Sequence, residues 1–308
     1  MIQQSASAVV MIRPYRFYPN PETASDNAFQ REIISTNPDA IWKAAQAEFD
    51  EAVVQLRKAG VKVHVFDDIP SPKKPDAVFP NNWFSTHHDG RMAIYPMYST
   101  ARRAERRRDI LEQLGRHYHV IEVVDYSASE EEERYLEGTG SLVLDHFNRV
   151  AYASLSQRTH AELVKQFCHD FGYEGVTFRS ATRDGRPIYH TNVMMCLGSE
   201  FALIGLEMIT DRAERVAVQR HLEASGKEII ELTTDQVANF AGNAIELEGE
   251  KGKLLVMSKR GASALSNGQR GKLNRFAKIV ELTLPTIELA GGSARCMLAT
   301  IHLSELQK

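Results

Sequence analysis

Four stretches of the chain share one pattern, and no other feature of the sequence narrows the fold so far. They begin at Ala77 ("AVFPNNWFSTHHDGRMAIYPMYSTARRAERRRDILEQLG"), Gly140 ("GSLVLDHFNRVAYASLSQRTHAELVKQFCHDFG"), His190 ("HTNVMMCLGSEFALIGLEMITDRAERVAVQRHLEASG") and Asn243 ("NAIELEGEKGKLLVMSKRGASALSNGQRGKLNRFAKI"). Each reads as a strand, a short polar turn, a second apolar strand, a break of small polar residues and a helix. A third strand follows each helix: "HVIEVV", "GVTF", "EIIEL" and "IVELTL". The second strands start near Met92, Val150, Ala202 and Leu255, so the unit recurs after 58, 52 and 53 residues. A recurring unit of this kind marks a repeat architecture. Glycine ends three of the helices, at Gly115, Gly172 and Gly226, where it closes the last turn without steric cost.

The N-terminal part supplies an incomplete fifth unit: the strand "AVVMI", the amphipathic helix "IWKAAQAEFDEAVVQLRKAG" and the strand "VKVHVF". The missing strand is available near the other end, in "CMLATIHL". Small sheets leave edges and faces open, and arranging five of them around an axis removes those edges. The expected fold is therefore α/β, a five-bladed α/β propeller of ββαβ repeats, with residues 1–308 as a single domain. An open α/β sheet would alternate single strands with helices, and the paired strands before each helix argue against it.

A net charge of −3 over 308 residues gives no basic footprint for nucleic acid. No apolar run approaches the roughly 20 residues that span a bilayer, and "MIQQSASAVVMIRPYR" has no basic lead-in to a signal segment. No membrane partner is expected. Cys168, Cys196 and Cys296 are odd in number and lack disulfide spacing, which suits a reducing, cytoplasmic setting. Cys168 and Cys196 fall within helical and strand patterns and read as core. Cys296 is different: it follows the thinned-out "AGGSAR" and stands at the mouth of the apolar run that begins at Met297.

In a radial fold, residues far apart in sequence meet near the axis. The beginnings of the first strands offer Asp76, Asn81 and Asn82 in "PDAVFPNNWF", Glu137 in "LEGTGSLVLD", His190 and Asn192 in "YHTNVMM", and finally Cys296. A thiol, an imidazole and a carboxylate at equivalent edges of different repeats make a nucleophile, a proton carrier and an orienting group.

The segments "DAVFPNNW", "EGTGSLVLD", "HTN" and "GGSARCM" resemble those of the amidinotransferase, or pentein, superfamily, which includes arginine deiminases, dimethylarginine hydrolases and arginine:glycine amidinotransferases. Within it, "IRP", "FPNNWFSTH" and "HTNVMM" are most similar to the citrulline-utilisation hydrolase branch. The resemblance implies a hydrolase that attacks a guanidinium or ureido carbon through Cys296, with no cofactor and with a small amino acid as substrate. A free thiol, with a pKa of about 8.5, needs help to ionise near neutral pH, and Arg295 or His190 are candidates to give it. His190 is the expected acid and base, Glu137 its orienting group and a partner for substrate N–H groups, and Asp76 a second such partner.

Two departures bear on the substrate. Asn192 and Asn82 stand where many relatives carry carboxylates that pin a guanidinium. An amide donates to a urea oxygen and accepts from a urea N–H, so the expected reaction is citrulline to ornithine, ammonia and carbon dioxide. The alternatives are an arginine deiminase, dihydrolase or amidinotransferase, or, from another class, a non-catalytic ribosome-binding pentein. Arg13 and Arg295 are the candidates for the substrate carboxylate. "ARRAERRRD" reads as the solvated face of a helix. His87, His88, His117 and His119 have no Cys or carboxylate at ligand spacing, so no metal site is expected. No phosphate- or dinucleotide-binding glycine pattern occurs. A homo-oligomer remains open.

Overall fold

The computed structural model describes residues 2–31 and 37–306. The first unit contains β1 (Ala8–Arg13), α1 (Pro38–Lys58) and β2 (Lys62–Asp67). The second contains β3 (Phe84–Thr86), β4 (Arg91–Ile94), α2 (Thr100–Arg103), α3 (Arg108–Gly115) and β5 (Glu122–Asp125). The third opens with a helical turn, α4 (Gly138–Ser141), and continues through β6 (Val143–Asp145), β7 (Val150–Ser154), α5 (Ala161–Phe171) and β8 (Glu174–Phe178). The fourth follows the same plan: α6 (Thr191–Met194), β9 (Met195–Leu197), β10 (Phe201–Ile204), α7 (Arg212–Ala224) and β11 (Glu228–Glu231). The fifth has α8 (Thr234–Ala238), β12 (Ile245–Gly249), β13 (Gly252–Ser258), α9 (Lys259–Ala264), α10 (Asn267–Leu273) and β14 (Lys278–Leu282). Last comes β15 (Ala299–Ile301).

These strands form five three-stranded sheets. In each, the central strand pairs antiparallel with the first strand and parallel with the third. The helix between the second and third strands is the crossover that a parallel pair requires. In the first unit the antiparallel partner is β15, with Ala8 opposite Ile301 and Val10 opposite Ala299. The strand near the end of the chain thus completes the unit at its beginning.

The helices form where local signals agree with burial. Asn37 caps α1 ahead of Pro38, and its side chain accepts from the Ala40 N–H. Asp211 caps α7 in the same way, which satisfies N–H groups that the first turn cannot pair internally. In α5 the buried positions are Leu163, Val164, Phe167, Cys168 and Phe171, one helical face. Burying such a side chain stabilises the fold by about 1.5–3 kcal/mol. Gly172, at φ 67, ends that helix.

The cores lie between units. One cluster joins β1 and α1 to β12 and β13, another joins β1 and β15 to β3, β4 and α3, a third joins β4 to β7 and α5, and the largest spans the third to fifth units. The first strands approach one another in turn. Thr86 donates to the Thr300 carbonyl at 3.0 Å, α4 packs on β3, β6 on β9 and β9 on β12, and Ala6 bridges Leu247. All five line one central cavity of ≈ 50 Å³, through residues such as Thr86, Leu144, Cys196, Glu246 and Thr300. Cys168 and Cys196 are buried, and burial pushes their thiols up to about 11 and about 12. No helix among the described residues is long and apolar enough to cross a membrane.

Candidate active site

The residues expected at the beginnings of strands sit on short helical turns that precede them. Pro80–Asn82 is a 3-10 turn before β3. Glu137 caps α4, His190 caps α6, and Cys296 lies three residues before β15. The inner strands β3, β6, β9 and β15 have only three residues each, so their alternation was too brief to show where each turn ends. Glycine permits the close approach of these turns. Gly138 has φ +49, and a Cβ there would lie 2.4 Å from the Asn81 carbonyl oxygen. A Cβ on Gly140 would lie 2.3 Å from Asn82 Nδ2 and 2.7 Å from His190 Nδ1.

Cys296 is buried. Its Sγ receives Asn243 Nδ2 at 3.2 Å and Asn192 Nδ2 at 3.5 Å. Asn243 is itself fixed: Nδ2 also donates to the Asn192 carbonyl, and Oδ1 accepts the Arg295 N–H at 3.0 Å. Sequence reasoning gave Asn243 no role, although it opens the fifth repeat in the same place that Asn82 and Asn192 hold in theirs.

His190 lines the same pocket as Cys296. Its Nε2 lies 2.8 Å from Glu137 Oε2, and the other oxygen of Glu137 accepts the Tyr98 N–H at 2.9 Å. Glu137 is fully buried. Burial works against its charge, but Arg158, the bond to His190 and Arg102 outweigh that effect, and its carboxyl falls to about 2. Arg158 and Arg102 stand 3.6 and 3.7 Å from Oε2. Burial lowers the pKa of His190, while Glu137 opposes the shift. The resting pair is therefore an ionised carboxylate and a neutral imidazole.

Asp76 lines the pocket and accepts from Asn20 Nδ2 at 2.9 Å, with Arg102 Nε at 3.7 Å. Burial raises its carboxyl against the pull of Arg102 and Asn20. Asn82 Oδ1 accepts from Arg102 at 2.9 Å, while its Nδ2 is buried without a partner among the described residues. Asn81 is buried too, and neither end of its amide has a partner there; it does not line the pocket.

Three expectations are corrected. Arg13 is not at the pocket: it makes a two-bonded pair with Asp50 of α1 at 2.8 and 2.9 Å. Arg295 points the other way and lines the central cavity, donating to the Leu298 carbonyl at 2.7 Å. Burial draws its pKa down to about 10. The arginine run is not merely a solvated face. Arg102 is buried in a two-bonded pair with Glu105, both contacts at 2.9 Å, and Arg106 pairs with Glu130. Helical spacing within α2 cannot reveal which arginine turns inwards: Glu105 lies three residues on, but Asp76, Asn82 and Glu137, which complete the surroundings of Arg102, come from other segments.

The segment before α1 covers the pocket. Asp26 clamps Arg158 through two bonds of 2.7 Å, Asn27 donates to the Ala290 carbonyl at 3.1 Å, and Thr23 and Asn27 line the pocket wall. Nothing in the periodicity of this segment signalled such a role.

Chains of known structure share the architecture. The N-terminal domain of ArgZ, an arginine dihydrolase from the ornithine-ammonia cycle in cyanobacteria, superposes with a TM-score of 0.74 at 17% identity, covering 96% of this chain and 97% of that domain. AgrE with L-arginine gives 0.72 at 17% identity, over 96% of this chain and 40% of that one. A dimethylarginine dimethylaminohydrolase adduct with S-methyl-L-thiocitrulline gives 0.67 at 15% identity, over 98% and 100%. No curated protein sequence matches. The family model described as N,N dimethylarginine dimethylhydrolase, eukaryotic, matches residues 13–303. With that match spanning nearly all of the fold and the whole pocket, the chain belongs to the dimethylarginine dimethylhydrolase family of the pentein superfamily.

Proposed function

We propose that the protein is a cysteine-dependent hydrolase that cleaves a C–N bond of a guanidino compound derived from, or equal to, arginine. One observation carries the reading: a thiol with two amide donors shares a pocket with an imidazole locked to a buried, ionised carboxylate. The neutral His190 takes the Cys296 proton, and the thiolate adds to the guanidinium carbon. The resulting imidazolium, stabilised by Glu137, gives that proton to the departing amine as the C–N bond breaks. Water then loses a proton to His190 and adds to the same carbon. The S–C bond breaks as the new hydroxyl loses its proton to the released amine and His190 returns its own to sulfur, leaving a ureido product and the free thiol.

The family match and the carboxylates of Asp76 and Glu137 favour the guanidino substrate, since a charge-assisted hydrogen bond is about twice as strong as a neutral one. Arg158, held by Asp26 of the covering segment, is the partner for a substrate carboxylate that Arg13 and Arg295 do not supply. A second reading, citrulline, draws on Asn82, Asn192 and Asn243, whose amides suit a neutral ureido group. Incubation with dimethylarginine, arginine and citrulline separately, with analysis of amine, ammonia, citrulline and ornithine, distinguishes them. The expected result is consumption of a guanidino compound. Release of ornithine from citrulline with both guanidino compounds untouched reverses the order of the two readings.

A further inference from the structure

The inner strands have a second end. His302 directly follows β15, His146 directly follows β6, and His88 lies in the turn after β3. The three come from neighbouring units, and one ring nitrogen from each lies within 4.8 Å of the other two. Ring centroids are 4.0 Å apart for His146 and His302, and 4.7 Å for His88 and His302. We propose that His88, His146 and His302 form a binding site for a zinc-type divalent cation, outside the pocket that holds the Cys296 thiol.

The outer contacts of the rings fit that role. His88 Nε2 is 2.8 Å from the Gln3 carbonyl oxygen, and donation there leaves Nδ1 with its lone pair free. His146 Nδ1 is 2.9 Å from the Tyr173 hydroxyl, and an N–H at that position leaves Nε2 free. Metal-bound histidines use their other nitrogen in this way, which fixes tautomer and ring orientation. His302 is more than nine-tenths buried, and its Nδ1 has no partner among the described residues. A buried polar nitrogen left unpaired is costly, and a cation gives it a partner.

Donor type selects the ion. Three imidazoles suit zinc and its neighbours, whereas calcium and magnesium require oxygen. Bond lengths of about 2.0–2.1 Å in a tetrahedron place the ligand nitrogens about 3.3 Å apart. The rings must close by small side-chain rotations, and His88, half-buried in its turn, has the most freedom. His146 and His302 also border the central cavity, which leaves room for a water as fourth ligand. Arg149 and Arg295 act on the cluster as positive neighbours, with His87 beside it and Asp89 acting on His88 in the opposite sense. That field opposes an ion held by charge alone and leaves the advantage to one bound strongly by nitrogen. The bound ion would tie the closing strand β15 to the second and third units.

The test is zinc titration of the chelator-treated Cys296→Ala protein, competed against a chromophoric chelator; this variant removes the catalytic thiol as a rival ligand. One equivalent per chain and a higher melting temperature with zinc are expected. His88→Ala in the same background should weaken binding by at least about 100-fold, and Tyr173→Phe by about 10–100-fold. Circular dichroism establishes that each variant is folded. His146→Asn with His302→Asn serves as a second pair of ligand removals. Absence of zinc binding by folded Cys296→Ala protein, or wild-type affinity in the folded ligand variants, overturns the site.

Discussion

Where the chain leads into its inner strands, Glu137, Asp76, Glu105, Arg102 and Arg158 are buried together as a lattice of opposite charges. Where it leaves them, the buried His146 and His302 and the half-buried His88 meet with no ion pair among the described residues. One set of three-residue strands thus presents two chemistries, separated by the length of a strand. In the first region the charges commit one another. Outside that lattice stand the thiol of Cys296 and the ring nitrogen of His190 that Glu137 does not hold, the two groups on which the proposed reaction draws. In the second region no carboxylate fixes the rings, and tilted and edge-on ring contacts and two outer hydrogen bonds hold them instead.

The comparison breaks most sharply at the thiol. Cys296→Ala should cut turnover by more than about 10³-fold and leave the melting temperature close to wild type. Iodoacetamide should label Cys296 ahead of Cys168 and Cys196, whose thiols burial pushes up. Equal labelling of all three, read by peptide mass spectrometry, would mean the pocket does not activate its cysteine.

Next in size is the imidazole. His190→Ala should lose about 10²- to 10⁴-fold in kcat. Glu137→Gln should also slow turnover and, more tellingly, move the pH profile. Glu137 raises the proton affinity of His190, so removing its charge must shift the acidic limb of kcat/KM to lower pH. The same substitution tests stability. A carboxyl held near 2, below its ordinary value, contributes stability that is present above about pH 4.5 and lost as pH falls towards 2. Melting curves of the Gln variant should therefore be flatter than wild type across that window.

Asn243→Ala is expected to fall between these variants and the surface. A hydrogen bond to a charged group is worth about 1.5–3 kcal/mol, so losing the Asn243 donor should slow alkylation of Cys296 and catalysis by about 10- to 100-fold. Unchanged rates would show that Asn192 alone supports the sulfur. The smallest effect belongs to Arg13→Ala. Its pair with Asp50 is partly exposed, so stability should change by less than about 1 kcal/mol and KM should not move. A large rise in KM would restore Arg13 to the substrate.

The repeat was legible because strand, turn and helix recur at a nearly constant interval, and the pairing of β15 with β1 follows from counting strands. Cys296, His190 and Glu137 were legible because each interrupts an otherwise apolar or small-residue approach to a strand. Arg102 and Arg158 were not, since part of what holds them comes from distant segments: Asp76 and Glu137 for Arg102, Asp26 and Glu137 for Arg158. The turns α4 and α6 were hidden for a local reason: four-residue helices have no periodicity to read. The histidines after β6 and β15 were missed for a related one. Ligand spacing along the chain says nothing about residues brought together by three separate units.

The pairing of Ala8–Val10 with Ala299–Ile301 also has a consequence in time. Contacts between remote segments form late, because the chain entropy of closing so long a loop opposes them until the intervening units are in place. Cys296 rides on that closing strand, whereas Asn192, Asn243 and the Glu137–His190 pair belong to units that can assemble from nearby sequence. On that ground the sulfur is expected to reach its place after the units that supply Asn192, Asn243, Glu137 and His190 have formed. A folding chain would then acquire its chemistry in a late act of registration, and a one-residue slip of those three pairs would turn Ala299 and Ile301 to the wrong face and carry Cys296 out of place.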